Sequence, residues 1–204
     1  MNLIVISELF PPEETSTAYI MGEITKTLSD KYNVTIVCGP EVYDQNKLTV
    51  LPKSSLIAGV TTIRVKGIKE NKANKLSRIR KFLLMSWRLY KASKKVINKG
   101  DKVLLVSNPF PLLILMAFHR KKMDYEISFL AHDLFPEPLL MRFKLPNLVY
   151  RQCLNIFNRS YARMDKIISL GRDMTDVLRE KTMPYNPNLE IIQIENWGDI
   201  NSIY

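Results

Sequence analysis

The chain has 204 residues, of which 46% are apolar and 25% charged, so it is expected to form one globular domain with a single core and not a disordered segment. Its first residues have no basic leader, and its longest apolar stretch elsewhere, residues 112–118, is too short to cross a bilayer. The formal net charge of +10 equals the number of cations between Lys72 and Lys99, a segment that contains no acid.

Strand-like and helix-like segments alternate along the chain. Buried strands are predicted at residues 2–7, 33–38, 61–65, 102–107, 125–130, 166–170 and 189–194. Helical spacing predicts helices at residues 17–30, 76–98, 111–120, 147–164 and 173–181, and residues 41–59 are predicted to be loop. This alternation predicts a doubly wound, mostly parallel, Rossmann-like α/β sheet with helices on both faces, whose ligands bind at the carboxyl ends of the strands.

The two cysteines, Cys38 and Cys153, are far apart in sequence and lie among apolar residues. This pattern favours buried, reduced thiols in a cytoplasmic protein over a disulfide or a metal site. The loop after the first predicted strand contains no glycine, whereas a dinucleotide-binding site needs Gly-x-Gly-x-x-Gly there, and a Walker A sequence is absent from the chain. We therefore expect no metal and no NAD or FAD cofactor.

Acidic and hydroxyl side chains follow the first predicted strand, namely Glu13, Glu14, Thr15, Ser16 and Thr17. At the start of a helix, hydroxyls and free amides can cap the helix or bind a phosphate or a sugar hydroxyl. Capping is the favoured interpretation when this loop is considered alone.

The fifth predicted strand ends in His132 and Asp133, at the edge of the sheet where ligands bind. The carboxylate can fix the imidazole or act on an acceptor hydroxyl, and a purely structural His–Asp pair carries equal weight. Arg172, after the sixth strand, can approach an anionic ligand or lie on the surface. His119, near a helix end, is predicted to be solvated or stabilised by the helix dipole.

The basic segment combines an apolar stripe at helical spacing with flanking cations. One interpretation is a core-packed helix with a solvated basic face, and the other is attachment to anionic lipid, where each cation near the surface contributes up to ~1 kcal/mol. The two interpretations are compatible, because the apolar stripe can pack on the sheet while the cations contact lipid phosphates. Nucleic acid is not expected as a partner, since no binding motif or aromatic platform accompanies the charge. The predicted membrane-binding residues are Lys81, Arg88, Lys91, Lys94 and Lys95.

Five segments carry a family resemblance. They are Ile6-Ser7-Glu8-Leu9-Phe10-Pro11-Pro12-Glu13, Thr15-Ser16-Thr17-Ala18, Ala131-His132-Asp133-Leu134-Phe135-Pro136-Glu137, Ser169-Leu170-Gly171-Arg172-Asp173-Met174 and Glu195-Asn196-Trp197-Gly198-Asp199. In order and spacing, the chain resembles the N-terminal, acceptor-side domain of a family-4 glycosyltransferase of the GT-B fold. It departs from many members in the first loop, where they carry a Gly-Gly pair and this chain has Glu14-Thr15-Ser16.

The resemblance implies a retaining transferase that moves a sugar from a nucleotide-sugar to an acceptor hydroxyl without an obligatory metal. The acceptor in such enzymes is often a lipid-linked saccharide, in keeping with a role in surface-polysaccharide, lipopolysaccharide or glycolipid assembly. The resemblance further implies that His132 lies near the reacting hydroxyl and sugar, supported by Asp133. The implied cleft residues are Glu13, Glu14, Thr15, Ser16, Thr17, Glu137 and Arg172.

On this interpretation, residues 1–194 form the acceptor-binding domain and residues 195–204 begin a linker to a donor-binding domain that the sequence lacks. That domain or subunit would hold most of the nucleotide-sugar, so the chain is expected to be inactive alone. Three explanations for the missing donor-binding domain are consistent with the sequence: a fragment of a longer protein, a truncated gene and a naturally split enzyme. We expect a cytoplasmic protein, with peripheral attachment to the inner face of the membrane as a further possibility. The alternative function is a non-catalytic α/β binding module that docks on a membrane or a partner subunit.

Overall fold

A computed structural model of the protein describes residues 1–41, 57–71, 73–138 and 146–196. The strands are β1 (Asn2–Ser7), β2 (Asn33–Cys38), β3 (Thr61–Arg64), β4 (Lys102–Val106), β5 (Glu126–Ala131), β6 (Lys166–Ser169) and β7 (Glu190–Gln193). The helices are α1 (Ser16–Ser29), α2 (Lys75–Ser93), α3 (Pro111–Arg120), α4 (Asn147–Tyr161) and α5 (Arg172–Thr182). Every predicted strand and helix is present. Most of the predicted loop at 41–59, and all but the first two residues of the predicted linker at 195–204, lie outside the described residues.

All seven strands of the described sheet are parallel, in the order β3-β2-β1-β4-β5-β6-β7. The chain builds the sheet outward from β1 to β3, returns to the other side of β1, and continues from β4 to β7. This order confirms the predicted doubly wound architecture. It also places the topological switch point between β1 and β4, where ligands of such folds bind.

The central strands are buried on both faces, which explains their uninterrupted apolar runs. In β1, Ile4 and Ile6 join one core cluster, while Leu3 and Val5 join the cluster on the opposite face. Helices α2, α3, α4 and α5 supply side chains to the first cluster. Among the described helices, only α1 covers the second face, through Met21 and its neighbours against β1 and β2.

Beyond α1, the second face of the sheet carries an apolar groove of about 610 Å³. Its floor includes Leu104, Leu130 and Ile168 on successive strands, and α1 forms one wall. Ile194, just after β7, lies at the rim and is 47% exposed. Because a parallel sheet is normally covered on both faces, this groove is an incomplete part of the core within the described chain.

Both cysteines have free thiols, as predicted. Cys38 is fully buried and Cys153 is half-buried, so burial is confirmed completely only for the first. Burial also raises the pKa of the Cys38 thiol to about 11, which makes it a poor nucleophile. No group of metal-ligating side chains and no helix able to cross a membrane occurs in the described ranges.

The prediction of a solvated His119 is wrong. Its side chain is buried, because the end of α3 packs over Tyr125, and its Nδ1 lies 3.2 Å from the Tyr125 hydroxyl. Burial, with smaller contributions from Lys94 and Lys122, lowers the pKa of His119. His119 is therefore a neutral core residue that joins α3 to the residue before β5.

Candidate functional site

Parallel strands bring the predicted site residues to one edge of the sheet. Glu13 and its neighbours follow β1, His132 and Asp133 follow β5, and Arg172 begins α5 after β6. Neighbouring strands lie ~4.8 Å apart, and β1, β4, β5 and β6 are successive neighbours, so the loops span only ~15 Å of this edge. The edge can therefore present these groups to one extended ligand about 15 Å long.

The loop after β1 is held tightly against the core. The backbone N–H of Gly39 donates to the carbonyl of Glu8 at 3.0 Å, and a Cβ on Gly39 would lie 2.4 Å from that oxygen. The Arg64 guanidinium donates to the carbonyls of Pro11 and Gly39. A Cβ on Gly22 would lie 2.7 Å from the Pro11 ring. Because Gly39 and Gly22 have no Cβ, the glycine-free loop after β1 can pack closely against both of them.

Thr15 has the capping role that was favoured for the loop. Its hydroxyl accepts a hydrogen bond from the N–H of Ala18 at 3.2 Å and caps α1. Glu14 and Ser16 are exposed beside this cap, while Glu13 and Thr17 are half-buried. The cap occupies the Thr15 hydroxyl, so the exposed Glu14 and Ser16 are better candidates for ligand contact than Thr15.

Glu8 was not among the predicted site residues, yet it is the most unusual group at this edge. It directly follows β1, is 2% exposed, and neither carboxylate oxygen has a hydrogen-bond partner within the described ranges. Burial, which is the largest effect, raises its pKa to about 7; Lys81 opposes the shift and Glu70 adds to it. An acid that follows an apolar strand at a switch point is the sequence signal that could have identified it.

Two distant hydroxyls position the loop that carries His132 and Asp133. The backbone N–H groups of both residues donate to the Ser107 hydroxyl at 3.2 Å. The Tyr161 hydroxyl accepts from the N–H of Phe135 at 3.0 Å and donates to its carbonyl at 3.3 Å. Side chains from the β4 loop and α4 therefore fix the backbone at the candidate catalytic pair.

His132 is poised as a neutral imidazole. It is half-buried, and its Nε2 atom is buried without a hydrogen-bond partner in the described part of the chain. Burial lowers its pKa, with a smaller opposing effect from the exposed Asp133. A neutral ring with an unpaired nitrogen can exchange a hydrogen bond with a sugar or acceptor hydroxyl.

The other two predicted cleft residues lie in different environments. Glu137 Oε1 accepts a hydrogen bond from Lys181 Nζ, a buried ammonium on α5, and its Oε2 is buried without a partner among the described residues. Arg172 is exposed at the first position of α5. Glu137 thus braces the His132 loop against α5, whereas Arg172 is free to reach a ligand from solvent.

We expect Ser107→Ala to lower the free energy of unfolding by about 1–3 kcal/mol, because two backbone N–H groups lose their shared acceptor. Ser86→Ala is the matched control, since that buried hydroxyl donates only to the Phe82 carbonyl of its own helix. Urea denaturation of both variants measures the difference. An equal loss in the two would show that Ser107 has no special role in holding the loop.

Helix α2 carries apolar side chains on two faces, where the sequence suggested one stripe. Met85 and Leu89 are buried against the sheet. On the outer face, five large apolar residues remain in solvent: Leu76 (75% exposed), Leu83 (55%), Trp87 (48%), Leu84 (40%) and Ile79 (36%). Helical spacing places Arg80, Lys91 and Lys94 on that outer face as well. Large apolar residues clustered on one exposed face are typical of interaction surfaces.

The five predicted membrane-binding cations differ in their exposure. Lys91, Lys94 and Lys95 are exposed, as membrane contact requires. Lys81 is only 4% exposed and its ammonium lies 3.1 Å from Glu70, so it is removed from the predicted set because it cannot reach a lipid phosphate. Arg88 is half-buried, so its side chain is still partly accessible to solvent and it stays in the predicted set.

The chain is similar in sequence to a glycosyltransferase and similar in fold to solved structures whose descriptions name trehalose-6-phosphate. No protein-family model matches the chain. Probable glycosyltransferase WbjE of Pseudomonas aeruginosa is 24% identical over 202 residues, covering 97% of this chain and 48% of that protein. The Candida albicans trehalose-6-phosphate phosphatase N-terminal domain superposes with a TM-score of 0.66 at 11% identity, covering 97% of this chain and 49% of that one. An E. coli trehalose-6-phosphate structure with bound UDP-2-fluoro glucose gives a TM-score of 0.58 at 14% identity, covering 95% and 48%.

The chain has the fold of one GT-B glycosyltransferase domain. It spans about half the length of the curated relative and of both solved structures. Each of those proteins therefore contains a comparable length of chain that has no counterpart here.

Proposed function

We propose that this GT-B domain is the acceptor-side half of a retaining glycosyltransferase that uses a nucleotide-sugar donor. The observation that carries the proposal is the convergence of His132, Asp133 and the Glu13–Thr17 loop on the carboxyl edge of the sheet, on either side of the switch point. The relationship to WbjE and the UDP-sugar analogue in the E. coli structure support the reaction class.

In the proposed reaction, the bond between the sugar C1 and the donor phosphate breaks, and a new bond forms between C1 and the acceptor oxygen. The leaving phosphate oxygen keeps the electron pair of the broken bond and accepts the proton that the acceptor hydroxyl releases. The neutral His132 would hydrogen-bond a hydroxyl beside the reacting carbon, and Arg172 would offer positive charge to the phosphates. The described residues need only bind and orient the reactants for this role.

Retention can be tested independently of the acceptor's identity. The complete enzyme should give a product whose anomeric configuration at C1 matches that of the nucleotide-sugar, as read by NMR coupling constants. A product of the opposite configuration would contradict the retaining assignment while leaving sugar transfer itself intact.

We further propose that a second domain or subunit binds most of the donor and completes the cleft. The length difference from the relatives supports this, as does the apolar groove beside α1, which is not covered by any described element. Residues 1–194 would then be the acceptor-binding domain, and residues 195–204 the start of the connection. On its own, the 204-residue chain should not transfer sugar.

Attachment to an anionic membrane surface is proposed for the outer face of α2, with the acceptor a lipid-linked or surface saccharide. The exposed apolar side chains of α2 stand at i, i+3, i+7, i+8 and i+11 from Leu76, and an apolar face of this kind with adjoining cations is typical of a helix that lies in the membrane interface. The protein would then be cytoplasmic and peripheral to the membrane. The name of WbjE gives the reaction class of that relative only, so the saccharide is left open.

We expect Leu84→Ser to weaken binding to anionic vesicles about tenfold, because a partly exposed leucine that enters the bilayer boundary contributes ~1.5 kcal/mol. Val177→Ser is the matched control, since Val177 on α5 is 39% exposed against 40% for Leu84. Co-sedimentation with phosphatidylglycerol-containing vesicles provides the measurement. Equal binding of the two variants would rule out α2 as the membrane-facing element.

A further inference from the structure

A shallow basic hollow lies between the end of β3 and the C-terminal half of α2. Its volume is about 430 Å³, within the range of small-ligand sites. Its lining consists of Val65, Lys66, Arg88, Lys91, Ala92 and Lys95. Four of these six residues are cations, and none is an acid.

The positive charge in this hollow is uncompensated within the described chain. Lys66, Lys91 and Lys95 are exposed, and no carboxylate among the described residues pairs with any of them. Several like charges around one concave surface repel each other unless an anion lies between them. The lining therefore suits a group with several negative oxygen atoms, of which phosphate is the commonest.

One of the cations is already fixed in place. Arg88 Nη1 donates to the backbone carbonyls of Lys66 at 2.8 Å and Gly67 at 2.9 Å. These bonds tie α2 to the segment after β3 and leave the rest of the guanidinium available at the wall of the hollow. Since the side chain is ordered beforehand, an anion that binds there loses less free energy to ordering.

The surroundings favour a phosphate that carries an apolar tail. Leu84 and Trp87 precede the lining residues on the same helix and are 40% and 48% exposed. Lys91 Nζ lies 5.8 Å from the centre of the Trp87 ring, so the basic hollow and the apolar patch meet at this pair. A free phosphate would leave the apolar patch in water, whereas a phospholipid satisfies both surfaces, and tryptophan is enriched at such boundaries.

We propose that this hollow is a headgroup site that binds the phosphate of an anionic phospholipid, with Leu84 and Trp87 in the acyl boundary. The inference rests on the proposed membrane attachment and adds a defined site to it. It assigns lipid binding to four named cations instead of a diffuse basic face, and one of them, Lys66, lies outside the basic segment 72–99. Lys99, which belongs to the same basic segment and is exposed, does not line the hollow.

The test compares Lys95→Gln with Lys99→Gln in the 204-residue chain, using phosphatidylcholine vesicles that contain phosphatidic acid. Lys95→Gln and Lys66→Gln should each weaken binding about fivefold, equivalent to ~1 kcal/mol per cation, whereas Lys99→Gln should change it less than about twofold. Thermal melting checks that all three exposed substitutions leave the fold intact. Equal effects of Lys99→Gln and Lys95→Gln would overturn the site in favour of diffuse attraction.

A second arm separates lipid from soluble phosphate. Inorganic phosphate is titrated into the chain without vesicles, and binding to vesicles is then repeated in its presence. Phosphate binding that depends on Lys95, with vesicle binding that does not, would overturn the lipid assignment. Neither arm involves sugar transfer, so loss of this site would leave the proposed transferase function untouched, and an inactive transferase would leave the lipid site untouched.

Discussion

In the proposed two-domain enzyme, His132→Ala is expected to lower kcat for sugar transfer by about 100- to 1,000-fold, the range for loss of a hydrogen-bonding group that stabilises developing charge. The physical reason is the neutral imidazole at the carboxyl edge, with its Nε2 atom unpaired among the described residues. Burial lowers the pKa of His132. The loss of wild-type kcat in acid should therefore have its midpoint below pH ~6.5, the ordinary pKa of histidine.

The chain provides its own control in its other histidine. His119 is buried against Tyr125, far along the sheet from the carboxyl edge, so His119→Ala should lower thermal stability while kcat per folded molecule stays near wild type. Unchanged transfer by His132→Ala would show that the His–Asp pair is structural. A loss of kcat as large in His119→Ala would mean that general instability, not chemistry, explains the effect.

Glu8→Gln is expected to stabilise the protein at alkaline pH and to have little pH-dependent effect in acid. The folded pKa of Glu8 is raised from 4.5 to about 7, so the folded protein holds a proton that the unfolded chain releases between those values. The free energy of unfolding therefore falls as pH rises from about 4.5 to about 7. Above that range the buried carboxylate costs about 3 kcal/mol, at ~1.4 kcal/mol per pKa unit.

Urea denaturation at about pH 4 and about pH 8 gives the free energy of unfolding of Glu8→Gln and of wild type at each pH, and the gain of the variant over wild type is then compared between the two pH values. The gain of Glu8→Gln over wild type should be larger at pH 8 by up to ~3 kcal/mol, or roughly 6–12 °C in melting temperature for a domain of this size. Glu14→Gln, an exposed acid in the same loop, should show no comparable change between the two pH values. A pH-independent gain for Glu8→Gln would contradict the raised pKa.

The fold was predictable because its signals are local. The apolar runs that became β1, β2, β4 and β5 are buried on both faces of the sheet, and the helices between them follow 3.6-residue spacing. The edge rule for parallel sheets then located His132 and Asp133 without any structure. These steps need only chain order and periodicity.

The contacts that hold the site were not predictable, because they join residues far apart in sequence. Ser107 bonds to residues 25 and 26 positions later, and Tyr161 reaches 26 positions back to Phe135. The burial of Glu8 likewise depends on the approach of Gly39 from the next strand. Periodicity along one segment carries no information about such partners.

Helix α2 shows where periodicity gave the wrong answer for particular side chains. Its apolar residues cover two faces, so a single-stripe interpretation could not separate the buried Met85 from the exposed Leu83. Lys81 appeared to be one surface cation among many, but it points inward to Glu70, an acid that precedes the helix. Charge density along a sequence does not reveal which ammonium is already paired.

The most direct test is a sugar-transfer assay of the 204-residue chain with and without the proposed donor-binding half, using labelled nucleotide-sugars and membrane lipid extract as acceptor. We expect no transfer by the chain alone, transfer when the second half is supplied, and loss of that transfer in His132→Ala. Turnover of a nucleotide-sugar into a glycosylated product by the 204-residue chain alone would contradict the proposed division of the active site.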